Sequence, residues 1–180
     1  MEELAYIRNK KVWRRISRRE AERRGIKIVK VRRIDINKGD SVTPIYRSRL
    51  VAKGFNNGKE LGLFAAMPPL EAVKMLVSEA AAMDGGEEKT MIVNDVARVF
   101  FEAPMRRLLC VELPDEEKSE NDDEDEVALL EMGLYGTRDA ASNSQTEVKK
   151  FMTENGCRAG RYNAYVLSPK TAVEDHGARR

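Results

Sequence analysis

Ile26-Lys27-Ile28-Val29-Lys30-Val31-Arg32-Arg33-Ile34-Asp35-Ile36, the cluster Asn37-Lys38-Gly39-Asp40 and the run from Pro44 to Phe55 decide how this chain is read. Side chains of a strand alternate between faces, so Ile26, Ile28, Lys30 and Arg32 share one face and Lys27, Val29, Val31 and Arg33 the other. Neither face is wholly apolar, so the strand should lie largely exposed. Asn, Gly and Asp at 37–40 are turn formers, because they tolerate unusual backbone angles and bond their own backbone. Pro44 to Phe55 then returns as a second strand. The product is a basic β-hairpin with Arg47, Arg49 and Val51 on one face.

On the amino-terminal side, Ser17-Arg18-Arg19-Glu20 has capping-box spacing, and Gly25 stands where a short helix would stop. On the other side, Gly54 to Gly62 reads as a loop. Pro68-Pro69 opens a helix whose Leu70, Val73, Leu76, Val77, Ala80 and Ala81 form an apolar stripe. That helix should end near Asp84-Gly85-Gly86. Thr90 to Val93 predicts a short strand, Val96 to Phe101 a second apolar burst, and Leu108 to Leu113 a strand stopped by Pro114. Asp115 to Glu126 cannot bury apolar area and predicts a disordered acidic insertion. Val127 to Met132 is a strand and Gly133 to Gly136 a turn. A helix follows from Arg138 to Asn155, with Thr137 as N-cap, Gly156 as C-cap and Val148, Phe151 and Met152 as its buried edge. Tyr162 to Leu167 is a last strand. No repeat is evident, and this order belongs to an α+β layer protein rather than a βαβ array.

The net charge of +2 in 180 residues is a cancellation. Residues 1–54 carry 17 Lys/Arg against 6 Asp/Glu, while residues 115–126 carry 9 Asp/Glu against 1 Lys. A basic third is the footprint of a phosphate-backbone binder, or simply a solvated surface. No apolar run reaches the roughly 18 residues of a membrane helix. The first thirty residues, broken by Arg and Lys, lack a secretory apolar core. The expected setting is intracellular, cytoplasmic or nuclear. Cys110 and Cys157 have no metal-ligand spacing and are expected to be idle or buried thiols. His176, the one histidine, cannot build a zinc site with such partners. Asp95, at the end of an apolar stretch, is the most suggestive carboxylate. It reads either as a cap or turn residue, or as a group that needs a cation or a hydrogen-bond partner.

Four ordered blocks then resemble one family. Tyr46-Arg47-Ser48-Arg49-Leu50-Val51-Ala52-Lys53-Gly54-Phe55 is similar to the Y-K-A-R-L-V-A-K-G-F run of copia-type retrotransposon reverse transcriptases. Phe64 to Ala72 stands where that family has its A-x-P-P-L-E-A segment. Asn94-Asp95-Val96-Ala97-Arg98-Val99-Phe100-Phe101 resembles the block around the first catalytic aspartate, and Gly133-Leu134-Tyr135-Gly136-Thr137-Arg138-Asp139-Ala140-Ala141 the S-L-Y-G-L-K-Q-A-P block. The resemblance implies the fingers and part of the palm of a right-hand polymerase over residues 26–167. Fold class would be α+β: a basic hairpin plus an antiparallel palm sheet packed on two helices. Residues 1–25 would be a basic segment with a short helix, and 168–180 a truncated or divergent tail.

By the same resemblance, the partners would be an RNA or DNA template–primer and deoxynucleotides, and the cofactor Mg²⁺. Two such ions clamp the attacking and leaving oxygens of nucleotidyl transfer. Asp95 would be the palm carboxylate holding them, joined by the Val96 backbone carbonyl. Phe100 would be the aromatic gate against a ribose 2′-OH, or else a core residue. Arg47, Arg49 and Lys53 would meet template or triphosphate phosphates. Gly136 would let backbone approach the nucleotide, with Arg138 flanking it. Departures accompany the match. The family's Asp-Asp pair has no counterpart near Glu174-Asp175-His176-Gly177-Ala178, Val99 replaces a small residue, and Arg33 and Ser144 stand where aromatics are usual. The implied function is an RNA-directed DNA polymerase fragment, inactive alone. Two alternatives remain: a non-catalytic nucleic-acid-binding module using the hairpin, and an interaction protein whose acidic and basic parts pair with one another.

Overall fold

The computed structural model describes residues 2–54, 69–82, 91–93, 95–118, 125–160 and 166–169. It is a mixed α and β structure that divides into two compact units. The first comprises residues 1–63 and 98–144, and the second residues 64–97 and 145–180.

The first unit is built on a four-stranded sheet. Strand β1 (Trp13–Ser17) pairs antiparallel with β6 (Glu126–Leu130), which pairs antiparallel with β5 (Cys110–Glu112). Strand β2 (Ile28–Val29) completes it, parallel to β5. The sheet is therefore mixed, not antiparallel. The predicted strand over 26–36 is broken at Lys30. Beyond it β3 (Val31–Asn37) changes partner and pairs with β4 (Tyr46–Ala52) as the basic hairpin. The break is held across the two sheets, since the Lys30 carbonyl accepts from Lys53 N at 2.7 Å. As expected, β3 is mostly exposed. The turn is also as expected: the Asn37 side-chain oxygen accepts from Gly39 N and Ile45 N.

The amino-terminal residues hold more structure than the expected basic segment with one short helix. Helix α1 (Glu2–Asn9) puts Leu4 and Ile7 into the main core, beside Leu50, Ala52, Phe101, Leu109, Val111 and Leu134. Strand β1 follows, with Val12 and Ile16 buried. Its arginines hide the strand in the sequence, yet their guanidinium groups are matched: Arg14 pairs with Glu131 at 2.8 Å and Arg15 with Glu126 at 3.2 Å. Helix α2 (Arg18–Arg23) begins as predicted, with the Ser17 hydroxyl accepting from Glu20 N at 3.2 Å. It stops at Gly25, whose φ of +64° suits a residue without a Cβ.

Several expectations fail. Both ends of the acidic stretch are ordered: Asp115–Glu117 forms a 3-10 turn and Glu126 opens β6. Counter-charges explain it. Glu117, only 5% exposed, meets Arg8 at 2.6 Å and Arg15 at 3.6 Å, while Arg18 pairs with Glu112 at 2.6 Å and also with Asp125. Residues 119–124 of that stretch lie outside the described residues. Met91 to Val93 is exposed and not a strand, and the burst at 96–101 becomes a 3-10 turn over Val99–Glu102 that buries Phe101. Helix α4 (Ala140–Glu154) buries Ala140, Asn143 and Ser144, not the predicted edge; Phe151 is 62% exposed. Thr137 does not cap it, because its hydroxyl donates back to the Leu134 carbonyl at 2.8 Å.

In the second unit, α3 (Leu70–Ala81) forms where the stripe predicts a helix, but none of its residues is buried. Strands β7 (Cys157–Ala159) and β8 (Leu167–Pro169) pair antiparallel. The predicted loop beyond Phe55, Pro68, the helix end at 84–86, Thr90, Asn94, Tyr162 to Ala164 and Glu174 to Ala178 lie outside the described residues. Among the described residues, no helix is long and apolar enough to cross a membrane.

Candidate nucleic-acid interface

Hairpin register sorts the charges. Residues opposite one another share a face, and β3 meets β4 as Arg32↔Val51, Ile34↔Arg49 and Ile36↔Arg47. One face therefore carries Arg32, Arg47 and Arg49. The alternate positions Arg33, Asp35, Ser48, Leu50 and Ala52 form the other. There Arg33 is already matched by Asp35 at 3.1 Å and Glu116 at 3.0 Å. The Ser48 hydroxyl, with Arg33 beside it, holds the Asp35 carboxyl below its usual range.

At its end, β4 meets the turn that follows β6. Ala52 N donates to the Tyr135 carbonyl at 2.7 Å, so the Tyr46–Phe55 and Gly133–Ala141 blocks are joined directly. Gly136 sits there at φ +79°, where a Cβ would overlap the Ala52 carbonyl oxygen and the Val51 side chain. Gly54 packs as tightly, since a Cβ there would lie 2.6 Å from the Gly136 carbonyl oxygen. Arg32, Val51, Ala52, Lys53, Gly54 and Gly136 line a groove of about 450 Å³ with Lys53 and Arg32 exposed along it. The Arg49 guanidinium lies over the Tyr135 ring, 5.2 Å from its centre, and Phe100 meets the same ring edge-on at 5.1 Å. An arginine on an aromatic face keeps its planar donors spread for an anion while shedding little hydration.

Of the residues named from the sequence, Arg49, Lys53, Phe100 and Gly136 are thus brought to one place, with Arg47 beside Arg49 on β4. Arg138 is half-buried in the turn before α4. Asp95 and Val96 are exposed and belong to the second unit, so they are not among this group. Four further residues take part unforeseen. Arg32 follows from the hairpin register, once it is known. Tyr135 and Arg98 lie inside the quoted blocks. Glu3, whose side chain is 12% exposed, approaches Arg98 to 3.4 Å from α1, a helix with no cap signal in the sequence. Burial pushes the Glu3 carboxyl above its usual range, against the pull of Arg98, Arg49 and Arg47.

A magnesium centre needs several carboxylates. Among the described residues no group of three or more His, Cys, Asp or Glu side chains is arranged to hold a metal ion. Asp95 alone does not fit a two-ion site. Comparison with known proteins returned no matching family model, no matching curated protein and no matching solved structure.

Proposed function

We propose that this chain is a fingers-and-partial-palm fragment of a copia-type reverse transcriptase that grips nucleic acid without transferring nucleotides itself. One observation supports it above all. Two blocks far apart in sequence, each resembling a reverse-transcriptase motif, meet through the Ala52–Tyr135 hydrogen bond and the Gly136 contact, with cations lining the groove beside them. In this proposal Arg47, Arg49 and Lys53 hold phosphates of a template–primer, and Gly136 allows the strand close to the backbone. Phe100, braced by Tyr135, borders the sugar, and Arg138 flanks the turn. Asp95 and the Val96 carbonyl correspond to the palm's metal-holding position. When bound, Mg²⁺ would supply charge for a displacement at phosphorus. The sequence has no Asp-Asp pair after the Gly133–Ala141 block, so no step is assigned to the metal.

Primer extension on an RNA template with Mg²⁺ tests the catalytic half: the expected result is no extended product. Extension that Asp95→Ala abolishes would overturn it. Binding of a labelled template–primer tests the other half. Affinity should fall steeply with salt, and affinity that ignores salt contradicts any phosphate-holding role.

A second reading, an interaction module closed by its own charges, is favoured by the ion pairs of Arg8, Arg15 and Arg18 with Glu117, Glu126 and Glu112. These pairs account for the amino-terminal arginines but not for the hairpin face.

A further inference from the structure

Among the cationic residues of the first unit, the group Arg47, Arg49 and Arg98 differs from the rest in what it faces. Arg8, Arg14, Arg15, Arg18 and Arg33 each meet a carboxylate of the sheet or of the acidic stretch. Arg98 instead meets Glu3 of α1, at 3.4 Å. That helix is fixed over β4 by Leu4 and Ile7, which share a core with Leu50 and Ala52. Arg98 is itself held in place: its backbone is left-handed at φ 55°, and its guanidinium lies over the Tyr6 ring at 4.4 Å.

The fit is incomplete as a structural ion pair. Glu3 Oε1 is buried without a hydrogen-bond partner, and so is Arg49 Nε. Burying a carboxylate whose second oxygen is left unbonded costs free energy that one exposed pair would not recover. Arg49 and Arg47 act on Glu3 through space, and burial nonetheless dominates its titration. To a guanidinium, a carboxylate and a phosphate present the same thing: negatively charged oxygens that accept paired N–H donors.

Given the phosphate-holding role proposed for Arg47 and Arg49, we infer that Glu3 is an internal stand-in for a nucleic-acid phosphate, held by α1 against the arginines of β4 and Arg98 and displaced when nucleic acid binds. The occupant is a backbone phosphate, since the hairpin face is a strip of cations with no base-reading arrangement. Glu3 therefore sets the affinity. It lowers apparent binding by the fraction of time it occupies the arginines.

Fluorescence anisotropy of a labelled single-stranded RNA twenty-mer with the full chain tests this. Four proteins are compared: wild type, Glu3→Gln, Arg47→Ala/Arg49→Ala, and the three substitutions combined. Glu131→Gln, which removes an exposed carboxylate paired with Arg14, controls for net charge. Expected are roughly two- to fivefold tighter binding for Glu3→Gln, the range of a single ion pair, and no comparable gain for Glu131→Gln. Arg47→Ala/Arg49→Ala should bind more weakly, and in the combined variant the gain from Glu3→Gln should vanish. Glu3→Ala should match Glu3→Gln, so the result does not depend on how one amide rearranges, and circular dichroism verifies that each variant is folded. If Glu3→Gln binds no tighter while Arg47→Ala/Arg49→Ala binds more weakly, Glu3 is no stand-in and the arginines keep their role. A gain that persists without Arg47 and Arg49 is a general charge effect and also overturns the inference. Unchanged binding by Arg47→Ala/Arg49→Ala removes the phosphate-holding role and the inference with it.

Discussion

Gly136 and Gly25 both adopt positive φ, but their surroundings differ, and so should the cost of a methyl group. At Gly25 there is nothing within 4 Å of a Cβ, so Gly25→Ala bears only the left-handed backbone, about 1–2 kcal/mol. At Gly136 the same methyl would also drive into the Ala52 carbonyl and Val51, adding overpacking to strain. Gly136→Ala should cost about 2–5 kcal/mol, read from the midpoint of urea unfolding. Equal costs at the two positions would contradict the tight junction of β4 with the turn. Glu3 makes a second residue-scale prediction. Its folded carboxyl titrates above the usual range because burial disfavours the charge. The folded state then holds the proton more tightly than the unfolded one, so this group's contribution to stability falls as pH rises from the ordinary carboxylate range through the raised value, and is level above it. Glu3→Gln should therefore be at least as stable as wild type at neutral pH. The difference should close in acid, as measured by thermal unfolding across pH.

Elements differ in how openly the sequence announces them. Helix α2 was legible because a cap is a local bargain between Ser17 and Glu20, and Ser17→Ala should cost about 1 kcal/mol in the same unfolding assay. The hairpin was legible because its turn chemistry and alternation are local too. Strand β1 was not, since Arg14 and Arg15 look like solvated charge until the carboxylates of a distant strand are known. The split of residues 26–36 into β2 and β3 was equally hidden. Nothing in an alternating pattern says that the partner changes at Lys30. Helix α4 shows the opposite failure: its apolar residues suggested a buried edge, whereas Ala140, Asn143 and Ser144 at its start are what is buried. Of the candidate site, residues inside the quoted blocks were visible, while Glu3 and Arg32 required the register and the packing of α1. That packing is also testable. Ile7, 1% exposed in the main core, should cost about 2–5 kcal/mol when changed to Ala, and a loss under 1 kcal/mol would show that α1 is not part of the core.

At the scale of the whole molecule, the near-neutral balance is the sum of two different arrangements. The amino-terminal arginines are largely closed upon the acids of β5, β6 and the 3-10 turn before residue 119. Glu117 is the buried centre of that closure, and Glu117→Gln should cost about 1–3 kcal/mol by leaving Arg8 and Arg15 poorly matched. The hairpin face of Arg32, Arg47 and Arg49 is the part left to meet an outside anion, with Glu3 alone set against it. Electrostatics thus divides one basic third into a structural half and a binding half, a division that composition cannot reveal.

The salt dependence of RNA affinity separates those halves. Wild type, Arg47→Ala/Arg49→Ala and Arg14→Ala/Arg15→Ala are compared between low and physiological salt on the same single-stranded RNA. Each phosphate contact contributes about 0.7 to the slope of log affinity against log salt, so loss of the hairpin pair should flatten that slope by about 1.4. Loss of the β1 pair, already engaged with Glu131 and Glu126, should leave the slope unchanged. A slope that flattens equally in both variants, or only in the β1 variant, would contradict the placement of the nucleic-acid surface on the hairpin.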